Sequence, residues 1–347
     1  MAKTVEQIAN DLNLSITTVR LVLNGKAEQY RISAKTQQRI TNYVTEHGYT
    51  VNYTARSLKL NKTDTLGLII PRLSNPFFST LAEKLEIRCR AAGYQLMISC
   101  TYSDAKYENK LVDALLQRNV DGLFVVPSSR QTQLHHVKMV NRPLVVLDRD
   151  FGAQDVSLVV SDNFQGGVQL AQAMLERNLD RGVTLSDEPL YFMAGDTRQP
   201  AIKERLKGYQ QALLRHGIKA PAEWILQAEH NRREDGIAMM QTFLARHAEA
   251  PRAFIASSLP VLEGVLSALR ERYGAIPADM NIGTFDEHAM LGFLANNLWS
   301  MRQDEDAWAE QAFMLMQRAL HGENQLARAI IPMTLIHRRQ ALGDLSS

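Results

Sequence analysis

Hydrophobic periodicity changes at Leu66, and the change confines the chain to at least two architectures in series. Before Leu66, apolar residues recur at three- and four-residue spacing over short stretches. After it, short apolar runs alternate with helical stretches, the pattern of a parallel sheet covered on both faces by its crossover helices. Leu66 to Pro71 is the first predicted strand, with a helix following to Gly93. Further strands are predicted at Gln95 to Cys100, Gly122 to Val126, Leu144 to Leu147, Leu190 to Ala194, Ala253 to Ala256 and Asn281 to Phe285. Two successive α/β lobes are implied, and 347 residues leave room for a further small unit in front of them.

That front unit has a helical period. Thr4 and Gln7 stand at capping-box spacing, with Val5, Ile8, Ala9 and Leu12 on one face of a helix of about nine residues. Asn13-Leu14 interrupts it, Ser15 is a fresh N-cap, and Val19, Val22 and Leu23 of a second helix face the same core. A third helix starts at Ser33, runs through Ile40 and Val44, and stops at Gly48, where a left-handed C-cap is expected. The spacing fits a helix-turn-helix or an unrelated three-helix bundle. Charge bears on the choice: up to Lys62, nine basic residues (Lys3, Arg20, Lys26, Arg31, Lys35, Arg39, Arg56, Lys59, Lys62) face four acidic ones (Glu6, Asp11, Glu28, Glu46). The front unit therefore carries +5, and the chain total of +2 leaves −3 for the rest. A basic head on a mildly acidic body points to a polyanion partner for the head alone.

Several function classes lack their residues. There is no GxGxxG turn, P-loop lysine motif, GxSxG elbow or HExxH pair, so no cofactor, no metal and no enzyme chemistry is indicated. The adjacent His135-His136 read as surface residues. Cys89 and Cys100 read as buried, reduced thiols. No apolar run is long enough to span a bilayer, and Met1 to Asn10 has no signal-peptide core, so no membrane partner and a cytoplasmic location are expected.

Thr4-Val5-Glu6-Gln7-Ile8-Ala9, Leu14-Ser15-Ile16-Thr17-Thr18-Val19 and Val22-Leu23-Asn24-Gly25 resemble the headpiece of the LacI/GalR family of bacterial transcription regulators. The resemblance runs on through Ser33-Ala34-Lys35-Thr36 and His47-Gly48-Tyr49 to the end of the chain. It implies an α/β protein in three parts: a helix-turn-helix DNA-binding headpiece at 1–50, a hinge helix and linker at 51–63, and at 64–347 a two-lobed core like the periplasmic binding proteins, with parallel sheets, for effector binding and dimerisation. The implied partners are double-stranded operator DNA, a sugar or sugar-phosphate effector, and a second copy of the chain, with a tetramer possible. The second helix is expected in the major groove. The implied DNA-binding set is Ser15, Ile16, Thr17, Thr18, Arg20, Leu21, Asn24 and Lys35, followed in the hinge by Thr54, Ala55, Leu58 and Lys59. Leu58 aligns with the family's minor-groove wedge. Two positions depart from the family: Arg20, where a small residue is usual and a phosphate contact is preferred to a guanine contact, and Val51, where proline is common.

Parallel sheets bind ligands beyond the carboxyl ends of their strands. There the chain places Ser74-Asn75-Pro76-Phe77-Phe78, which resembles the family motif that opens the sugar pocket, then Asp148-Arg149, Asp162-Asn163 and Asp286. Carboxylates accept from sugar hydroxyls, arginines present a planar fork, and aromatic rings cover apolar sugar surface. The expected effector-binding set is Asn75, Phe77, Phe78, Asp148, Arg149, Asp162, Arg205, Ser257, Asp286 and Gln303, with Arg205 and Asp286 the strongest by family match; Arg198 and Lys203 add positive charge nearby. Most relatives have Asn-Asp where this chain has Ser257-Ser258. That loss, with the extra segment Lys26 to Arg31, is shared by the fructose and sucrose repressors. The resemblance thus implies a repressor of a sugar uptake or catabolism operon, released by a fructose-type or sucrose-related effector. The alternatives are a dual repressor/activator of carbon metabolism and a sugar-binding protein without gene regulation.

Overall fold

The computed structural model describes residues 3–49, 62–180, 182, 184, 188–323 and 325–338, the side chains of 178–180 excepted. They form two compact units, Met1–Thr63 and Asp64–Ser347.

In the first unit, α1 (Val5–Asp11), α2 (Ile16–Leu23) and α3 (Ala34–His47) close a core of Val5, Ile8, Ala9, Val19 and Ile40. Each helix starts where a side chain replaces the missing backbone acceptor. Thr4 and Gln7 form a reciprocal capping box, and Ser15 and Ser33 accept the N–H groups of Thr18 and Thr36 at 3.0 and 3.3 Å. Gly48 does have a positive φ of 72°, but its ψ of 159° is extended rather than left-handed helical, which corrects the expected cap. The reason is the path of the next residue: Tyr49 forms a parallel bridge with Lys3, and only extended backbone leaves the helix in that direction.

From Thr65 the second unit alternates strand and helix: β1 (Thr65–Ile70), α4 (Pro76–Ala91), β2 (Gln95–Cys100), α5 (Ala105–Gln117), β3 (Gly122–Val125), α6 (Arg130–Met139), β4 (Leu144–Leu147) and β5 (Ser157–Ser161). Next come α7 (Asn163–Asp180), β6 (Leu190–Gly195), α8 (Pro200–Arg215), β7 (Ile225–Gln227), α9 (Arg233–Arg246), β8 (Ala253–Ala256), α10 (Leu259–Tyr273) and β9 (Asn281–Phe285). The described chain ends with β10 (Asn297–Arg302), α11 (Glu305–Leu320), β11 (Arg328–Ile331) and β12 (Thr334–Arg338). Two sheets result, ordered β11-β5-β4-β3-β1-β2 and β12-β10-β9-β8-β6-β7, parallel throughout except where β12 runs antiparallel to β10.

The lobes are not successive. The chain passes from the first to the second after β5, returns after β10 so that α11 packs on α4, and passes over again between β11 and β12. The three passages touch. Asp162 donates its N–H to the Ile331 carbonyl, and the Ser161 hydroxyl donates to Gln303. In the second lobe, α7 and α8 approach through Gly167 and Gly208, and α9 and α10 through Gly236 and Gly264; a methyl at any of these would strike the facing helix's backbone.

Two side chains differ from their expected surroundings. His136 is 1% exposed, because α6 turns it onto the equally buried Glu108 of α5. Cys100 is only half-buried at the end of β2, whereas Cys89 is sealed under α4, and burial pushes its thiol up to about 12.

Candidate functional site

In the first unit, Val19 anchors α2 while Ser15, Ile16, Thr17, Arg20 and Asn24 stand exposed, as does Lys35 near the start of α3. Thr18 is half-buried and shares its hydroxyl with Ser15 at 2.8 Å, and Leu21 is half-buried. Arg20 lies 3.9 Å from Glu6, an exposed pair too weak to hold it against a phosphate. Thr54, Ala55, Leu58 and Lys59 lie outside the described residues, as does Val51.

The second unit holds a cavity of about 750 Å³ at the carboxyl ends of strands from both sheets. Arg205 from α8 is 4% exposed. Its Nε donates to Asn163 Oδ1 at 2.8 Å, its Nη1 donates to the Ser257 carbonyl at 2.7 Å, and the guanidinium lies 4.4 Å over the Phe285 ring. Asp286 follows that ring at the end of β9, accepting from Gln303. Gln303 accepts in turn from Ser161, whose hydroxyl also accepts the Trp308 indole N–H at 2.9 Å. A continuous polar chain therefore runs from the first lobe's core to a carboxylate of the cavity.

Asp148 and Asp286 occupy equivalent places, each following the fourth strand of its sheet. Both are held in left-handed backbone, at φ 62° and 72°, by donating their N–H groups to Val159 and Met301 of the next strand. Burial holds the Asp148 carboxyl above its ordinary value, outweighing the attraction of Arg149 and Arg205. Burial likewise lowers Arg205 and Arg149 despite their carboxylate neighbours. The protein's own opposite charges thus compensate these buried groups incompletely. A carboxyl raised by folding adds stability below its unfolded value of 3.8, and that contribution is lost as pH rises through the folded value. Asp148→Asn, which tolerates the same backbone, should therefore melt higher than the parent at pH 7, with the advantage vanishing below pH 4. A lower melting temperature at pH 7 would contradict the electrostatic account.

Asn75, Phe77, Phe78, Asp148, Arg149, Arg205, Asp286 and Gln303 all line the cavity. Asn75 spends its side-chain carbonyl on capping α4 at Phe77, and Phe77 packs edge-on against Trp308 at 5.5 Å between centroids. Asp162 is not brought in, since its carboxylate caps α7 by accepting from Gln165. Ser257 contributes only its carbonyl, while Ser258 lines the wall. Lys203 is exposed and off the lining, whereas Arg198 lines it in a bidentate pair with Asp196 at 2.7 and 3.2 Å. Sequence reasoning missed Arg72, Arg130, Arg232 and Arg233. The last two follow β7, whose three residues are too short to stand out. The hydroxyls of Ser128 and Ser258, on equivalent loops, are buried and have no partner among the described residues. Among the described residues no cluster of three metal-ligating side chains occurs.

A family model of the periplasmic binding protein domain matches residues 66–324. The sucrose operon repressor of Klebsiella pneumoniae is 28% identical over 92% of this chain and 93% of its own. The fructose operon regulatory protein of Vibrio cholerae is 29% identical over 96% and 98%. Among solved structures, the Cra transcriptional dual regulator from Pseudomonas putida in complex with fructose 1-phosphate is 26% identical, covers 80% of this chain and 99% of its own, and superposes with a TM-score of 0.68.

Proposed function

Because this chain belongs to the periplasmic binding protein domain family, and among its members to the LacI/GalR transcription regulators, we propose that it is a sequence-specific repressor of a sugar uptake or catabolism operon, released from its operator by a sugar or sugar phosphate. It is not an enzyme. The observation that carries the reading is the joint presence of an exposed recognition face on α2 and an arginine-rich cavity between two lobes. Residues 1–50 serve as headpiece, 51–63 as hinge and 64–347 as effector-binding and dimerisation core. Ser15, Ile16, Thr17 and Leu21 read the major groove, with Arg20 on phosphate; Leu58 is the minor-groove wedge, and Thr54, Ala55 and Lys59 flank it. A palindromic operator requires a homodimer; gel filtration distinguishes it from a tetramer. Such a regulator works in the cytoplasm, and among the described residues no helix is long and apolar enough to cross a membrane.

For the effector, the family resemblance points to a fructose-type or sucrose-related ligand, and the charge of the cavity favours a phosphorylated one over a neutral sugar. Seven arginines line it against five carboxylates (Asp148, Asp196, Glu234, Glu263, Asp286), a surplus of two positive charges that a neutral sugar does not need. Effector bound across both lobes favours one arrangement of them, and only its unequal affinity for the two arrangements releases DNA.

Operator binding tests the function. With about five phosphates neutralised per subunit, log affinity should fall with log salt at a slope steeper than about −5 for the dimer. Thr17→Ala should change base preference, and Lys59→Ala should weaken all sequences alike. A gel-shift series with no preference for operator over random DNA at any salt would end this reading.

A further inference from the structure

Beneath the first lobe's side of the cavity lie two ionisable side chains that the proposed function does not use. Glu108 of α5 and His136 of α6 are 0% and 1% exposed, and His136 Nε2 stands 2.7 Å from Glu108 Oε1. The other carboxylate oxygen, Oε2, accepts the main-chain N–H of Ser128 at 2.6 Å. His136 Nδ1 has no partner among the described residues, which favours the tautomer with its proton on Nε2, donating to Glu108, because a bare lone pair costs less than a buried unpaired N–H.

Burying a carboxylate on a helix is expensive unless it is paired and hydrogen-bonded. The contacts of the pair explain its place. Ser128 belongs to the loop after β3, whose Pro127 carbonyl accepts Nη1 of Arg149 at 3.1 Å. One turn before His136, Gln133 donates to the Arg149 carbonyl at 3.2 Å and accepts the Phe151 N–H at 3.0 Å. The loop and helix tied down by Glu108 and His136 therefore hold Arg149 by both side chain and main chain, and the Glu108 charge attracts its guanidinium from below.

We propose that Glu108 and His136 are positioning residues for effector recognition: the buried pair locks residues 126–129 and α6, and through them fixes the Arg149 guanidinium at the cavity wall. Ordering this arginine before the ligand arrives removes a cost otherwise charged to binding. The inference rests on the cavity being the effector site, but its test does not.

The test is hydrogen exchange on the ligand-free full chain, following the segments 126–133 and 149–152. His136→Leu removes the donor to Glu108, and both segments should exchange about tenfold faster while the second lobe stays unchanged. His136→Gln, whose amide reaches the same carboxylate, should restore exchange to near the parent rate. If the leucine variant fails to fold, His136→Asn, too short to reach Glu108, carries the same expectation. Unchanged exchange in the variant lacking the contact, or equal acceleration in the glutamine variant, overturns the proposal. Calorimetry with fructose, fructose 1-phosphate, fructose 1,6-bisphosphate and sucrose separates the two readings. Should the parent protein bind none of them, the effector reading fails while the exchange result still decides what the pair does. Where one binds, His136→Leu should raise its Kd about tenfold, and His136→Gln should not.

Discussion

Replacing Arg205 by alanine should weaken effector binding at least about 100-fold, roughly 3 kcal/mol, and leave operator affinity unchanged, giving a repressor that cannot be induced. The size reflects the several contacts that the guanidinium makes at once. It spans Asn163 and the Ser257 carbonyl, stacks on Phe285 and neutralises two carboxylates from different lobes. Its loss leaves Asp148 and Asp286 facing one another with less countercharge, and a ligand meets repulsion where it had a planar donor. Arg205→Lys should recover little, because a single ammonium cannot make both bonds and stack. Calorimetry with fructose, its two phosphates and sucrose reads the affinity, and operator release reads the consequence. A normal response from Arg205→Ala would mean that both the cavity and the role of this arginine are misassigned.

Trp308→Ala should cost about 3 to 5 kcal/mol of stability, a large share of the roughly 5 to 15 kcal/mol that holds a typical fold. Trp308 is fully buried, among the largest side chains of the first lobe's core, and packs on Phe77. Trp308→Phe keeps most of the bulk but loses the bond to Ser161 and part of the ring, so it should cost about 1 to 2 kcal/mol while weakening effector binding through Ser161, Gln303 and Asp286. Urea denaturation gives the first number and calorimetry the second. An alanine variant within about 1 kcal/mol of the parent would mean that the ring is not a keystone of this core.

Burial alone does not make a strand legible in the sequence: Gln95 to Cys100 occurs where expected although it is a half-exposed edge strand, and the fully buried β5 is missed. Leu144 to Leu147 and Ala253 to Ala256 are unbroken apolar runs, and they occur where expected. β11 and β12 mix polar and apolar residues because each is an edge strand that meets solvent, and that dilutes the signal; β10 is buried at all but Arg302, but Asn297, Ser300 and Arg302 break its apolar run. Missing them hid the return of the chain to the first lobe, since strand order in a sheet is set by pairing and leaves no local mark. Arg205 and Asp286 stand out through the family pattern, whereas Arg232 and Arg233 need the loop geometry. The burial of Glu108 is invisible for a different reason: a glutamate in the first turn of a helix ordinarily reads as a favourable charge in water.

The three chain passages between the lobes bear on how the protein does mechanical work. Tethers at residues 162, 303 and 332–333, cross-bonded to one another, resist sliding of one sheet past the other but leave rotation about a line through them. A pull on both cavity walls is then converted into a change of angle, as in a lever with its fulcrum at one end. Gln303 sits on the fulcrum and also donates to Asp286 of the cavity wall, so the joint and the cavity share a hydrogen-bonded connection. Neither lobe is a contiguous stretch of chain, so cutting after residue 162 would strip the first lobe of α11 and β11 and with them of Trp308. The lever works only as a whole.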